Sequence, residues 1–339
     1  MADKFAFQGV EFVEYATPKP EELAKVFYSL GFKKIGQHKT KEISLFRAGS
    51  FCFIINSDEN SFAANFKNAH GPSACAMAFR VKNAQEAFDK AVKRGATPFK
   101  EADHKFLAVY GVGQSLIYFV DKYKDLEMYK EDFDISAELS EKRDLSLLSI
   151  DHLTNNVAKG SMQKVCDFYA QTFDFTEVRY FDIKGKQTGL LSKVMRSPCG
   201  TILIPVNEPS TENSQIQEYL DVYNGAGIQH IAFLTNDIVK TVSNLKKSSL
   251  KFLSIPDTYY ETLLNRVPQV KDSLEDLKQL KILADGDKEG YLLQIFTENQ
   301  VGPIFFEIIQ RKNHFGFGEG NFQALFESME EDQKRRGFL

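Results

Sequence analysis

Tryptophan is missing from this chain of 339 residues, and cysteine occurs only four times. Cys52, Cys75, Cys166 and Cys199 lie far apart and form no CxxC pair, which removes thiolate-zinc and dithiol redox sites and leaves reduced structural thiols. Long apolar runs are missing too. None approaches the roughly 18 residues of a membrane-spanning helix, and Met1-Ala2-Asp3-Lys4 leads into no signal-peptide core. Nor is positive charge in surplus: a net charge of -4, with the signs interspersed, leaves no footprint for nucleic acid or an anionic membrane. Glycine-rich phosphate loops and serine or cysteine nucleophile motifs are likewise lacking. These absences predict a cytoplasmic globular protein, and its length suffices for two ordinary domains.

What the chain has in quantity is phenylalanine, 30 residues of it, and one motif written twice. The first copy opens with the alternating segment Val10 to Ala16. Thr17-Pro18-Lys19-Pro20 then starts a helix over Glu21 to Leu30, with Leu23, Val26, Phe27 and Leu30 at helical spacing and Gly31 ending it. Strand-like runs follow at Phe32 to Ile35, Ile43 to Arg47 and Ser50 to Asn56. A strand Ala74 to Val81, a helix Ala84 to Arg94 and a strand Leu116 to Val120 complete the copy. The charged stretch from Glu131 to Asp144 reads as a linker. The second copy repeats the first strand at Leu148 to Thr154 and the first helix at Met162 to Phe173. It repeats the Ala74 strand and its helix at Ile228 to Lys247, and the last strand at Ile304 to Ile309. The predicted fold class is α+β, with duplicated βαβββ modules whose helices lie outside curved, antiparallel-rich sheets. The expected division is 1–140 and 146–339.

The copies differ in their polar residues. In the last strand, alternation puts Glu307 on the face of Phe305 and Ile309, a costly place for an unpaired carboxylate. His152 shares a face with Ile150, and His230 with Ile228, Ala232 and Leu234. At the matching places the first copy reads Glu14, Ala76 and Phe119 or a neighbour. Two imidazoles and a carboxylate from three strands match the facial ligand set that leaves open positions on a non-haem Fe(II). Zinc could use the same ligands for hydrolysis. His38, His70, His104 and His314 sit in loop-like text and read as exposed. Asn207 shares a face with Leu203 and Pro205, and Gln294 with Phe296. Amides among apolar and aromatic side chains suit an aromatic ligand with one polar tip.

Several of these segments carry a family resemblance. Ile-Asp-His ending at His152, Gly-Ala-Gly-Ile-Gln-His ending at His230, and Leu-Leu-Gln-Ile-Phe-Thr at 292 to 297 are similar to 4-hydroxyphenylpyruvate dioxygenases. So are Phe-Phe-Glu-Ile-Ile-Gln-Arg at 305 to 311 and Gly-Phe-Gly-Glu-Gly-Asn-Phe at 316 to 322. The resemblance is specific in the second copy and looser but continuous in the first. It implies the vicinal oxygen chelate, or glyoxalase-like, fold of two open barrel-like domains: a degenerate first one without metal and a catalytic second one. It implies one Fe(II) per chain on His152, His230 and Glu307. The substrates would be an aromatic 2-oxo acid and O2, and the products of tyrosine catabolism homogentisate and CO2. The oxo acid supplies the reducing electrons, so no second acid is consumed.

Carried over by position, the resemblance places Ser192, Asn207, Gln215, Gln229, Gln294 and Asn321 at the substrate. Gln294, Asn207 and Ser192 would orient its ring in catalysis, and Phe296, Phe305, Phe317 and Phe322 would wall it. Strict alternation turns Gln229 away from the face of His230, and Ser192 lies in loop-like text. A C-terminal helix from Asn321 to Arg335, hinged at Gly316, Gly318 and Gly320, would gate the site. The family also implies a homodimer or homotetramer. The alternatives are hydroxymandelate synthase, an extradiol ring-cleaving enzyme, and a non-catalytic ligand-binding protein of this fold.

Overall fold

The computed structural model describes residues 4–100, 106–136, 146–184, 189–322, 334 and 337. Two eight-stranded sheets, built to one plan, make up the frame. In the first, β1 (Phe7–Ala16) leads through helix α1 (Pro20–Ser29) to β2 (Lys33–His38), β3 (Ile43–Ala48) and β4 (Phe51–Asn56). Helix α2 (Phe62–His70), β5 (Ser73–Val81), helix α3 (Ala84–Lys93), β6 (Leu107–Tyr110) and β7 (Leu116–Val120) follow. β1 runs parallel to β4 and antiparallel to β5, and β5 runs parallel to β7. The second module repeats this with β9 (Ser149–Asn156), helix α4 (Met162–Phe173), β10 (Thr176–Lys184), β11 (Gly189–Arg196) and β12 (Leu203–Pro209). Helix α5 (Gln215–Tyr223), β13 (Gly227–Leu234) and helix α6 (Ile238–Leu245) come next, then β14 (Leu283–Gly286), β15 (Tyr291–Phe296) and β16 (Phe305–Lys312). Local chemistry repeats as well. Asn83 and Asp237 cap the matching helices α3 and α6, each side chain accepting a backbone N–H three residues on.

The periodic reading found most of these elements. It missed α2, α5 and the strands β6, β10, β11 and β14. The stretch read as a linker contains a strand, β8 (Phe133–Ile135), which pairs antiparallel with β2 along its whole length and forms one edge of the first sheet. Residues 137–144 of that stretch lie outside the described residues, as does most of the C-terminal helix read from Asn321 to Arg335. Among the described residues no helix is long and apolar enough to cross a membrane.

Strand registers align the two modules residue by residue. Phe12 faces Ala78 and Glu14 faces Ala76, as His152 faces Ala232 and Thr154 faces His230. Ala78 then faces Tyr118, as Ala232 faces Glu307. The counterparts of His152, His230 and Glu307 are therefore Phe12, Ala76 and Tyr118. Glu14, expected opposite His152, is instead the counterpart of Thr154. A shift of two residues keeps every side chain on its face, so alternation alone could not fix the register.

One face of each sheet packs into a core continuous between the modules, which is why the central strands are buried on both sides. Phenylalanine supplies the junction. The fully buried Phe53 ring lies 4.9 Å from Phe27 and 4.4 Å from Phe32 in its own module, and 5.7 Å from Phe233 and 6.1 Å from Phe306 in the other. Truncating it would open a cavity at the seam of both modules. Phe53→Ala is expected to cost about 3–5 kcal/mol, and Phe53→Leu clearly less. Urea unfolding midpoints of the two variants check this; equal, negligible shifts would contradict a shared core.

Candidate metal centre

The opposite faces of the two sheets line the barrel interiors. In the second module β9, β13 and β16 are adjacent, and Ala232, small and buried, lies between His152 and Glu307 across the ladder. The missing side-chain bulk lets the flanking groups meet. His152 Nε2 is 3.2 Å and His230 Nε2 3.7 Å from Glu307 Oε2, and the ligand atoms of all three lie within 4.8 Å of one another. Glu307 Oε1 is buried with no hydrogen-bond partner. A native interior seldom leaves a carboxylate oxygen so, and a bound cation would satisfy it.

Two β-bulges aim the imidazoles. The ladder between β9 and β13 slips at Gln229 and again at Asp151, the residues just before the histidines. Each bulged side chain thereby comes back beside its neighbour: Gln229 Oε1 is 3.2 Å from His230 Nδ1, and Asp151 Oδ1 is 2.9 Å from His152 Nδ1. These acceptors take the Nδ1–H of each ring and leave both Nε2 atoms turned toward Glu307. Thr154 Oγ1 lies 3.0 Å from His230 Nε2. The bulge is why Gln229, which alternation turned away, touches His230.

Asp151 is itself clamped. Arg311, at the end of β16, donates to its two oxygens from Nε and Nη2, both at 2.7 Å. Burial opposes the Asp151 charge, but the bonds from Arg311 and His152 outweigh it and hold the carboxyl well below the usual carboxylate range. Burial likewise works against a charged His152; the Glu307 and Asp151 carboxylates overcome it and push that imidazole up to about 9. His230 goes the other way, held low by burial and by the neighbouring His152. The remaining Arg311 nitrogen donates to the carbonyls of His314 and Gly316, at 3.1 and 2.6 Å, and the guanidinium covers the Phe317 ring at 5.4 Å. Neither Asp151 nor Arg311 was singled out from the sequence. An acid directly before a ligand histidine is the signal that could have found the first.

Of the residues expected at the substrate, Ser192, Asn207, Gln294, Phe296, Phe317 and Phe322 line the same cavity as the ligand triad. Phe181, not expected, joins them, its ring 5.6 Å from Phe322. Ser192 stands on strand β11 opposite Asn207, not in a loop. Phe305 stacks on the His230 ring at 4.8 Å and so backs a ligand rather than the cavity. Asn321 is fully buried and donates to Gln294 Oε1 at 3.3 Å, while Tyr259 OH meets its Oδ1 at 2.6 Å. Gly318 permits this approach: its φ is +80°, and a Cβ there would fall 1.9 Å from Gln294 Oε1. Gln215 lies buried in the first turn of α5 and is not among the cavity-lining residues. His314, expected in the open, is buried, with Nδ1 accepting from Gly316 N–H. His70 is half-buried and stacks on Tyr223, and His104 lies outside the described residues.

The donor set, two nitrogens and an oxygen converging from one side, suits a divalent transition metal with open positions. Comparisons with known proteins agree with that chemistry. Residues 2–134 match the family model described as hydroxyphenylpyruvate dioxygenase, N-terminal, and residues 149–295 match that of the glyoxalase/bleomycin resistance protein/dioxygenase superfamily. The chain is 48% identical to Protein MelA of Shewanella colwelliana, covering 98% of this chain and 97% of that one. It is also 48% identical to a 4-hydroxyphenylpyruvate dioxygenase of Legionella pneumophila, over 98% and 96% of the two chains. Among solved structures, a mutant 4-hydroxymandelate synthase from Streptomyces coelicolor superposes with a TM-score of 0.84 at 26% identity, covering 96% of this chain and 99% of the other. With such identity over nearly its full length, the chain belongs to the 4-hydroxyphenylpyruvate dioxygenase family.

Proposed function

We propose that this chain is an Fe(II)-dependent dioxygenase that converts 4-hydroxyphenylpyruvate and O2 to homogentisate and CO2. The observation that carries the reading is the convergence of His152, His230 and Glu307 in a chain of this family, with a Glu307 oxygen buried and unpartnered. One Fe(II) on these three residues would supply a chelation site for the 2-oxo acid and an open position for O2.

The protein's own side chains supply position. Gln294, steadied by Asn321, and Asn207, which donates to Asn156 Oδ1 at 3.3 Å, offer polar contacts to a ring hydroxyl, with Ser192 beside Asn207. Phe296, Phe317 and Phe322 offer apolar faces to the ring and exclude water around it. Gln229 and Phe305 act one step back, on His230, by hydrogen bond and by stacking. The cavity measures about 50 Å³ as it stands, so an aromatic acid must displace part of its lining to enter. The segment carrying Phe317 and Phe322 is the part on which the gating expectation rests. In the same reading residues 146–339 carry the chemistry and 1–140 hold no metal. Cytoplasmic location fits the four free cysteines, and a homodimer or homotetramer rests on family resemblance alone.

Hydroxymandelate formation is the second reading, favoured by the close superposition on the synthase structure. Product identity separates the two. Anaerobic loading with Fe(II), then 4-hydroxyphenylpyruvate and O2, is expected to give homogentisate with one O2 consumed per turnover. Hydroxymandelate would transfer the assignment to the synthase, and an absence of aromatic product would remove the substrate. Glu307→Ala is expected to lose stoichiometric Fe(II) and, with it, oxygen uptake. Asp151→Asn keeps the ligands but weakens the acceptor on His152 Nδ1; competition with a chromophoric chelator should show Fe(II) affinity down about 10- to 100-fold. Unchanged affinity would mean that the Arg311 clamp serves the fold and not the metal.

A further inference from the structure

The connection between α6 and β14 covers residues 246–282, where the first module spends residues 94–106 between α3 and β6. This longer connection reaches the substrate side of the site through one residue. Its short helical turn Thr258–Glu261 lays Tyr259 along β14, the outermost strand of the second sheet, which pairs with no further strand among the described residues. The Tyr259 hydroxyl stands in for one: it accepts from Ala284 N–H at 2.9 Å and lies 3.0 Å from the Ala284 carbonyl oxygen. The same hydroxyl lies 2.6 Å from Asn321 Oδ1, and Asn321 Nδ2 donates to Gln294 Oε1 at 3.3 Å. Gln294 in turn lines the cavity beside the ligand triad. A chain of three side chains thus runs from the sheet edge to the cavity wall.

Such a chain has a direction. An amide offers an acceptor at one end and a donor at the other, so the end that Asn321 turns to Tyr259 decides which end Gln294 turns to the cavity. Tyr259 has one hydroxyl proton and two acceptors in reach, and the contact to Asn321 is the shorter, while Ala284 N–H already occupies a hydroxyl lone pair. The proton therefore goes to Asn321 Oδ1. Asn321 Nδ2 then points at Gln294, Gln294 Oε1 accepts, and Gln294 Nε2–H is the end presented to the cavity. With the proton on the Ala284 carbonyl instead, Asn321 would turn its NH2 to the phenol and Gln294 its carbonyl to the cavity. The surroundings hold the chain in place. Gln294 and Asn321 are buried, and Arg266 covers the Tyr259 ring at 4.6 Å while its Nη1 donates to the Gly320 carbonyl at 3.2 Å. Asp285 accepts from Gly320 N–H at 2.8 Å. Capping an edge strand accounts for the two contacts of Tyr259 with Ala284; it gives no reason for the third, with Asn321.

We propose that Tyr259 is a positioning residue for the substrate: acting through Asn321, it holds the Gln294 amide with its N–H toward the ring hydroxyl. The inference rests on the substrate reading above, and the experiment separates the two. The Fe(II)-loaded full chain is titrated without O2, by calorimetry, with 4-hydroxyphenylpyruvate and with phenylpyruvate, the same acid lacking the ring hydroxyl. The unaltered protein tests the reading: it is expected to bind both acids and to favour the hydroxylated one, and failure to bind either would remove that substrate and this inference with it. Tyr259→Phe, which keeps the ring under Arg266, tests the inference. Its preference for the hydroxylated acid is expected to fall about tenfold, with the affinity for phenylpyruvate unchanged. Asn321→Leu, close to isosteric, is expected to do the same by breaking the chain one link later, and gives the answer should Tyr259→Phe not fold. The double variant should be no worse than either single one, because both remove one relay. Equal binding of the two acids by the unaltered protein, an unchanged preference in Tyr259→Phe, equal weakening of both acids, or additive losses in the double variant would overturn the assignment and leave the Tyr259 hydroxyl as a strand cap.

Discussion

Glu307 sets the terms for the second module. Its carboxylate sits on a strand whose neighbours are Phe305, Phe306 and Ile308, and the interior leaves one of its oxygens without a protein partner. Stranding an ionised carboxylate in such surroundings costs several kcal/mol, far more than an apolar residue there would. Two imidazoles within 4 Å are an incomplete answer, because each must present a lone pair instead of a proton to be useful to a metal. The bulges at Asp151 and Gln229 meet that need by placing an acceptor on the far nitrogen of each ring. Arg311 then keeps the Asp151 acceptor charged.

The bulges are not peculiar to the metal site, since both modules have them. In the first sheet the ladder slips at Glu11 and at Cys75, the counterparts of Asp151 and Gln229. Glu11 is buried, as the Asp151 side chain nearly is, and is likewise held by an arginine: Arg80 Nε donates to it at 2.6 Å. Burial raises the Glu11 carboxyl, an effect that Arg80 and Tyr129 only partly offset. The same backbone irregularity thus carries an acid–arginine pair in both halves, and what distinguishes them is the next residue, Phe12 in one and His152 in the other.

The helices α1, α3, α4 and α6 were legible because each buries one face against a large core and its apolar spacing survives in the text, and β13 and β16 because they are nearly continuous apolar runs buried on both faces. The triad followed from that, since all three ligands are polar interruptions of apolar faces. The bulges were not legible. A bulge inserts one residue and then restores alternation, so Gln229 read as turned away when it lies against His230. Ser192 looked like loop because two polar residues in succession, Ser192 and Lys193, interrupt the apolar text of this strand. The positions of Phe305 and Asn321, one shell behind the cavity, depend on ring stacking and on a glycine with positive φ, neither of which a linear pattern records.

One residue joins the candidate metal centre to the segment His314 to Phe317 packed beside it. Arg311 contacts Asp151 on one side and, on the other, the carbonyls of His314 and Gly316 and the ring of Phe317. Phe317 also packs edge-on against His152 at 5.4 Å. A displacement of that segment would therefore break contacts to the group that holds the Asp151 acceptor on His152. Linkage of this kind is reciprocal: whatever free energy metal binding contributes to ordering the segment, ordering the segment returns to metal binding. Its magnitude is bounded by the few hydrogen bonds and one ring face involved, so the coupling is a matter of small multiples in affinity rather than an all-or-none switch.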